Sequence, residues 1–128
     1  MYAQTEVTGL MATALIDDPM NQAGLSGTPG MLTRIEIFSE RGNLLSPNRI
    51  GEICVKAPTV FEGYWSRLDD NRWIFRDGWL HTGDLGLKDD AGRFWFKGRK
   101  PEKDLIKTGG ENVYPAQVES TLRRHPAV

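Results

Sequence analysis

The stretch GWLHTGDLGLKDDAGRFWFKGRK, from Gly78 to Lys100, decides most of what this sequence predicts. Its first half holds Asp84 between Gly83 and Gly86, two residues that permit a tight backbone approach. An ionised aspartate accepts hydrogen bonds through both oxygens, which suits a vicinal diol such as the ribose of a nucleotide. Its second half predicts a β-hairpin, because alternating aromatic residues follow a turn at residues 90–92. An ordinary Asx turn around Asp84 is the structural alternative to the diol site.

Two more segments upstream have the period of two that is typical of strands. The first, MLTRIEIF (Met31 to Phe38), is followed by a turn at Glu40 to Asn43 that should close a hairpin onto the next strand. The second is IGEICVKA (Ile50 to Ala57), in which Ile53 and Val55 share one face. We expect that face to be buried and the opposite face, with Glu52, Cys54 and Lys56, to be mixed.

Only the end of the chain has a helical pattern. Pro115 suits a first helical turn, and Glu119 can pair with Arg123 at the i, i+4 spacing. The sequence therefore predicts a mainly β fold followed by a small α+β part.

Composition narrows the class of protein further. The 128 residues carry a net charge of −1, which gives no electrostatic reason to expect a nucleic acid or an anionic membrane as partner. No apolar stretch approaches the roughly 20 residues of a membrane span, and no signal pattern follows Met1. The single cysteine, Cys54, is expected to be a small buried apolar residue in a cytoplasmic protein.

Two features near the main stretch invite a functional interpretation that we do not adopt. His81 has no second histidine or cysteine nearby in the sequence, so it is interpreted as a packing or turn residue. Asp89 and Asp90 lack the spaced oxygen ligands of a calcium loop. They are interpreted as a solvated hairpin tip.

Four motifs in a fixed order carry a family resemblance: YAQTE (Tyr2 to Glu6), GEICVKAPTVFEGYW (Gly51 to Trp65), GWLHTGDLG (Gly78 to Gly86) and GRKPEKDLIKTGGENVYP (Gly98 to Pro115). The chain resembles the acyl-adenylate-forming (AMP-binding) superfamily, specifically its acyl-CoA synthetases. This resemblance implies that residues 1–97 form the distorted β-barrel subdomain ending the N-terminal AMP-binding domain. Residues 98–128 would hold the hinge and the beginning of an incomplete C-terminal domain, so the chain is expected to be an internal segment of a longer enzyme.

The same resemblance assigns roles to residues of the nucleotide site. Tyr2 would pack on adenine, Thr5 would donate to the α-phosphate, and Glu6 would hold Mg²⁺ against the phosphates of ATP. Asp84 would bind both ribose hydroxyls, and Arg99 would close on the ribose beside it.

The last motif would serve the movement between two half-reactions. Lys103 is our preferred hinge residue, with Lys100 as the alternative because the spacing departs from the commoner family pattern. Gly109 and Gly110 would lie along the pantetheine chain of coenzyme A, or else form an ordinary loop before the helix at Pro115.

The implied function is that of an AMP-forming acid–CoA ligase, whose substrates are a small-molecule carboxylic acid, ATP and coenzyme A. The phosphate loop, which is normally a glycine-rich Ser/Thr run ending in lysine, is absent from this sequence. We therefore expect the chain to be inactive in isolation. The alternatives are a non-catalytic folding module that forms homo-oligomers through exposed surfaces, and a fragment of another adenylate-forming enzyme.

Overall fold

A computed structural model describes residues 1–15, 22–100, 106–108, 111–113 and 115–125 of the chain. The chain divides into two compact units, Met1–Gly98 and Arg99–Val128. In chain order, the elements from Tyr2 to Arg99 are β1 (Tyr2–Gln4), a 3-10 helix (Thr5–Val7), β2 (Gly9–Thr13), β3 (Leu25–Pro29), β4 (Arg34–Phe38), β5 (Gly51–Lys56), α1 (Leu68–Ile74), β6 (Phe75–Arg76), β7 (Trp79–Lys88) and β8 (Phe94–Arg99). The remaining elements are β9 (Ile106–Thr108), β10 (Glu111–Val113) and α2 (Pro115–Leu122).

Strands β1 to β8 form one sheet in the order β1-β2-β3-β8-β7-β5-β4, with β6 paired to β7 off this path. The mainly β class predicted from the sequence is confirmed. Within the described residues the sheet is open, with β1 and β4 as its two edge strands. The strand order does not include the pairing between these two strands that would close the sheet into a barrel.

Strands β4 and β5 pair antiparallel, with Ile35 opposite Val55 and Ile37 opposite Ile53. The turn predicted after β4 is present, since the Ser39 amide donates to the Asn43 carbonyl at 2.8 Å. It does not lead directly into β5, as the sequence suggested. It leads to an isolated bridge between Phe38 and Leu44, and β5 begins at Gly51.

The expectation of a mixed outer face on β5 is wrong, because both faces are buried in the middle of the strand. Ile53 and Val55 face the apolar core, as predicted. On the other face, Cys54 is fully buried and Glu52 is only 6% exposed. Strands β4 and β7 pair with β5 along its two edges, so β5 lies in the interior of the sheet.

The apolar core contains side chains from both edge strands of the sheet and from strands between them. Its largest fully buried side chains are Phe94 on β8 and Met11 on β2, and the rest of the cluster comprises Tyr2, Val7, Ala12, Ile35, Ile37, Ile53, Val55, Ile74 and Leu80. Gly27 on β3 has φ +92°, and a Cβ there would overlap the Thr13 carbonyl of β2. Only glycine permits this close approach between neighbouring strands.

The predicted hairpin of β7 and β8 is confirmed, but its tip is not simply solvated. The Asp89 side chain accepts hydrogen bonds from the Ala91 and Arg93 amides, from Arg93 Nε at 2.8 Å and from Trp95 Nε1 at 3.0 Å. Burial raises the pKa of Asp89, but these hydrogen bonds and the Arg93 charge outweigh it and hold the pKa below its ordinary value. Asp89 therefore organises the turn, while Asp90 is exposed and accepts from Asn48.

Helix α1 was missed, because the sequence suggested that only the end of the chain is helical. It spans just two turns and buries only Ile74, so it shows no apolar periodicity. Asp69 and Asp70 in its first turn complement the positive end of the helix dipole. Among the described residues, no helix is long and apolar enough to cross a membrane.

In the second unit, β9 and β10 pair antiparallel, with Lys107 opposite Asn112. The predicted helix is present as α2, and Arg123 lies 3.5 Å from Glu119 in the predicted i, i+4 pair.

Candidate functional site

Asp84 is the centre of the candidate site and lies in the middle of β7, where its side chain is 3% exposed. Gly83, with φ +75°, turns the backbone just before it. The Thr82 hydroxyl holds this turn in place. Thr82 Oγ1 donates to the Ile53 carbonyl at 2.7 Å and accepts from the Asp84 amide at 3.1 Å. The aspartate is thus fixed to β5 through its neighbour.

Strand β1 supplies two donors to this carboxylate. The Tyr2 hydroxyl and Gln4 Nε2 each donate to Asp84 Oδ2 at 2.7 Å, and Gln4 Nε2 also reaches the Thr82 carbonyl at 3.4 Å. Residues two apart on a strand share a face, which explains why Tyr2 and Gln4 meet the same oxygen. The intervening Ala3 is exposed. The structure thus brings two of the sequence-predicted site residues, Tyr2 and Asp84, into direct contact.

A charged cluster from β5, β6 and β7 lies next to this turn. Glu52 Oε1 accepts from the Gly83 amide at 3.2 Å, and Oε2 lies 2.8 Å from His81 Nδ1. Arg76 Nη2 lies 2.8 Å from the same ring nitrogen and 3.4 Å from Glu52 Oε2. A protonated Nδ1 donates to Glu52, and a deprotonated one accepts from Arg76. The sequence order did not reveal these neighbours or Cys54, whose Sγ lies 3.3 Å from His81 Nδ1. The interpretation of His81 as a packing or turn residue stays a prediction.

The same cluster contains a possible set of metal ligands. One ligand atom each from Glu52, Cys54 and His81 lies within 4.8 Å of the others, and these donor types resemble a zinc site. Arg76, however, supplies a positive charge in contact with two of the three. The guanidinium accounts for the buried carboxylate without a metal ion.

Glu6 and Thr5 follow β1 directly and begin the 3-10 helix, which places them on the same short segment as the donors to Asp84. Thr5 is exposed, and Glu6 is half-buried. The Tyr64 hydroxyl donates to Glu6 Oε1 at 2.5 Å. A carboxylate oxygen is a ligand that Mg²⁺ prefers, so Glu6 fits the role of a magnesium ligand.

Other predicted site residues fall at or beyond the end of β8. Arg99 is the last residue of that strand, and the alternative hinge residue Lys100 follows it. Lys103, Gly109 and Gly110 lie outside the residues that the structure describes. Their assigned roles stay predictions.

Sequence reasoning missed four residues of this site: Gln4, Glu52, Tyr64 and Arg76. The sequence could have indicated only Gln4, because residues two apart on a strand, such as Tyr2 and Gln4, point to the same face of the sheet. The other three make contacts that span 24 to 58 positions, although Arg76 also contacts His81 only five positions away.

Comparisons with known proteins show the family of the chain. Residues 1–65 match the family described as AMP-binding enzyme. The chain is 42% identical over 127 residues to a 2-succinylbenzoate–CoA ligase of Bacillus cytotoxicus, covering 99% of this chain and 26% of that protein. It is 44% identical over 109 residues to a long-chain-fatty-acid–CoA ligase of Bacillus subtilis, covering 84% and 19%.

Solved structures give the same result. O-succinylbenzoate coenzyme A synthetase (MenE) of Bacillus subtilis, solved with ATP and magnesium ion, aligns with TM-score 0.78 at 41% identity over 99% of this chain and 26% of that one. Its complex with the acyl-adenylate intermediate OSB-AMP aligns with TM-score 0.79 over the same shares of both chains. The chain thus spans about a quarter of the length of these relatives.

Proposed function

Because this chain belongs to the AMP-binding enzyme family, we propose that it forms the nucleotide-holding part of an AMP-forming acid–CoA ligase. The observation that carries the proposal is the buried Asp84 carboxylate, fixed by its backbone turn and by donors from β1. The relatives named above, which are CoA ligases, support the proposed reaction class.

The proposed reaction has two steps. A carboxylate oxygen attacks the α-phosphorus of ATP, pyrophosphate leaves, and an acyl-adenylate forms. The thiol of coenzyme A, losing its proton, then attacks the acyl carbonyl, and AMP leaves as the thioester forms. Mg²⁺ bound with ATP would screen the negative charges of the phosphates from the incoming carboxylate.

Four residues of the candidate site have a proposed part in holding the substrates. Asp84 accepts the ribose hydroxyls, because an ionised carboxylate offers about four acceptor positions and can take a diol alongside neutral donors or in exchange for them. Tyr2 presents its ring to adenine while its hydroxyl orients Asp84. Thr5 donates to the α-phosphate, and Glu6 is the ligand for Mg²⁺.

The last motif has proposed parts in domain movement and in binding coenzyme A. Arg99 is assigned to the ribose of the bound nucleotide. Lys103 is the proposed hinge, with Lys100 as the alternative, and Gly109 and Gly110 line the path of coenzyme A. The division into residues 1–97 and 98–128 is proposed on the same family grounds.

The complete activity is proposed for a longer protein, because the family relatives are about four times the length of this chain. We expect the 128-residue chain to bind nucleotide without turning over acid, ATP and coenzyme A. The chemical identity of the acid is left open by the two relatives named, one of which uses 2-succinylbenzoate and the other long-chain fatty acids.

Calorimetric titration of AMP into the purified chain tests the ribose assignment. We expect Asp84→Asn to lower the affinity about 10- to 100-fold, because it removes the charge from a hydrogen-bond acceptor while keeping its shape. Asp69→Asn is the matched control, since this carboxylate is 94% exposed on α1. Equal affinity of the Asp84 and Asp69 variants, or no binding by the unaltered chain, would contradict the proposal.

A second candidate function is self-association as a non-catalytic module. Two observations favour it: β1 and β4 are the edge strands of the sheet that the described residues form, and several large apolar side chains are exposed, including Met31, Leu32, Trp65 and Trp73. Exposed strand edges and apolar surface promote pairing with another copy. Light scattering over a range of concentrations tests it, and a constant monomer mass would count against it.

A further inference from the structure

The carboxylate of Glu6 is held by a tyrosine 58 positions further along the chain. The Tyr64 hydroxyl donates to Glu6 Oε1 at 2.5 Å, a short hydrogen bond of the kind made to an ionised acceptor. The backbone of Glu6 is tied to the same region, because the Phe61 amide donates to the Glu6 carbonyl at 2.9 Å. Both the main chain and the side chain of Glu6 are therefore positioned by residues 61–64.

Tyr64 is itself held in place by an amide clamp. The Tyr64 amide donates to Asn71 Oδ1 at 2.7 Å, and Asn71 Nδ2 donates to the Tyr64 carbonyl at 2.9 Å. The ring packs edge-on against Phe61, with centroids 4.9 Å apart. A Cβ at Gly63 would lie 2.9 Å from the Asn71 amide, so the clamp needs glycine at that position.

This arrangement is more than a tie between two surface loops. Besides the Tyr64 and Phe61 hydrogen bonds to Glu6, a third hydrogen bond joins the same segments, from Thr8 Oγ1 to the Thr59 carbonyl at 3.0 Å. Tyr64 differs because its donor is aimed at the one carboxylate that the proposed function assigns to Mg²⁺. A glutamate side chain has several rotatable bonds, and fixing it before the metal arrives removes an entropic cost from binding.

We propose that Tyr64 is a positioning residue for the magnesium-binding carboxylate of Glu6, and that Asn71 holds Tyr64 in the required place. The inference rests on the proposed function, because it presumes that Glu6 meets Mg²⁺ with ATP. Mg²⁺ demands near-ideal octahedral geometry and is usually held by one or two carboxylates together with substrate phosphates. The orientation of the Glu6 carboxylate should therefore affect the Mg²⁺ concentration at which half of the chain has bound Mg²⁺ with ATP.

Calorimetry on the full 128-residue chain tests this with two ligands. AMP is titrated without metal, and Mg²⁺ is titrated into the chain with ATP at a fixed concentration. We expect Tyr64→Phe to leave the AMP affinity unchanged and to raise the Mg²⁺ midpoint on the order of tenfold. Adding Tyr64→Phe to a Glu6→Gln chain should raise the midpoint no further, because the hydroxyl acts only through that carboxylate.

Two more variants separate positioning from general loosening. Thr8→Val removes a side-chain hydrogen bond between the same segments without touching Glu6, so its Mg²⁺ midpoint should match that of the unaltered chain. Asn71→Ala releases Tyr64 and should shift the midpoint in the same direction as Tyr64→Phe. It also serves as the test variant if the tyrosine substitution fails to fold.

The possible results are distinct. An unchanged Mg²⁺ midpoint in Tyr64→Phe and Asn71→Ala, with AMP and ATP still bound, would overturn this inference and leave the proposed function standing. An equal loss of AMP and Mg²⁺-ATP affinity would also overturn it, since it would show a merely structural role. If the unaltered chain bound neither ligand, the proposed function would fail and this inference with it.

Discussion

The Tyr2 hydroxyl donates to Asp84 Oδ2 at 2.7 Å, across 82 positions of sequence, in a place where both side chains are buried. This hydrogen bond joins the first strand of the sheet to the strand that carries the candidate ribose carboxylate. The same contact therefore contributes both to the stability of the sheet and to the shape of the candidate site.

Tyr2→Phe should lower the free energy of unfolding by about 1.5–3 kcal/mol, because it removes a buried hydrogen bond to a charged group and leaves the ring in place. Urea denaturation followed by tryptophan fluorescence measures the change. In an Asp84→Asn background the same substitution should cost less, since the charged acceptor is gone. Equal costs in both backgrounds would show that the two residues are not coupled.

Glu52→Gln should destabilise the chain by about 1–3 kcal/mol, because it removes a buried charge that faces His81 and the Gly83 amide and leaves only the partly exposed Arg76 unpaired. Glu36→Gln is the matched control. Its ion pair with Lys88 is partly exposed, so its loss should cost about 1 kcal/mol or less. Thermal unfolding by circular dichroism compares them, and similar midpoints for both variants would argue against an essential buried cluster.

The lowered pKa of Asp89 predicts how the stability of the chain changes with pH. Its pKa is lower in the folded chain than the value of 3.8 that is usual for aspartate, so its stabilising effect is present above that ordinary value. The effect is lost as the pH falls through the lowered folded-state pKa. We therefore expect Asp89→Asn to be less stable than the unaltered chain at pH 7 by about 1–3 kcal/mol, with the difference shrinking below about pH 4.

Denaturant curves from pH 2.5 to pH 7 measure this difference. The neighbouring Asp90→Asn is the control, because Asp90 is exposed and should change stability little at any pH. A difference for Asp89→Asn that stayed constant down to pH 2.5 would contradict the assigned cause.

The two phenylalanines of β8 make a matched pair for core packing. Phe94 is 1% exposed in the main cluster, and Phe96 is 38% exposed. Phe94→Ala should cost about 3–5 kcal/mol through a new cavity, whereas Phe96→Ala should cost clearly less. Chemical denaturation provides both values, and equal losses would mean that the core does not close over Phe94 as described.

Several elements follow from local sequence alone. The β7–β8 hairpin was predictable because alternation and turn residues act over a few positions, and so was α2, with its Glu119–Arg123 pair. Helix α1 was not predictable from apolar spacing, since it buries a single residue. The burial of Glu52 was not predicted either. Alternation of polar and apolar residues is typical of a strand with one solvent-exposed face, whereas both faces of β5 are buried in the middle of the strand.

The sequence by itself determined the class of the fold, the family and the order of the four motifs, because these depend on residue types and spacing within short segments. Tertiary structure alone decided which side chains meet: Tyr2 and Gln4 at Asp84, Arg76 and Glu52 around His81, and Tyr64 at Glu6. Apart from the local contact of Arg76 with His81, these contacts join residues separated by 24 to 82 positions. Only the folded chain brings such residues together, and a short sequence pattern covers too few positions to predict them.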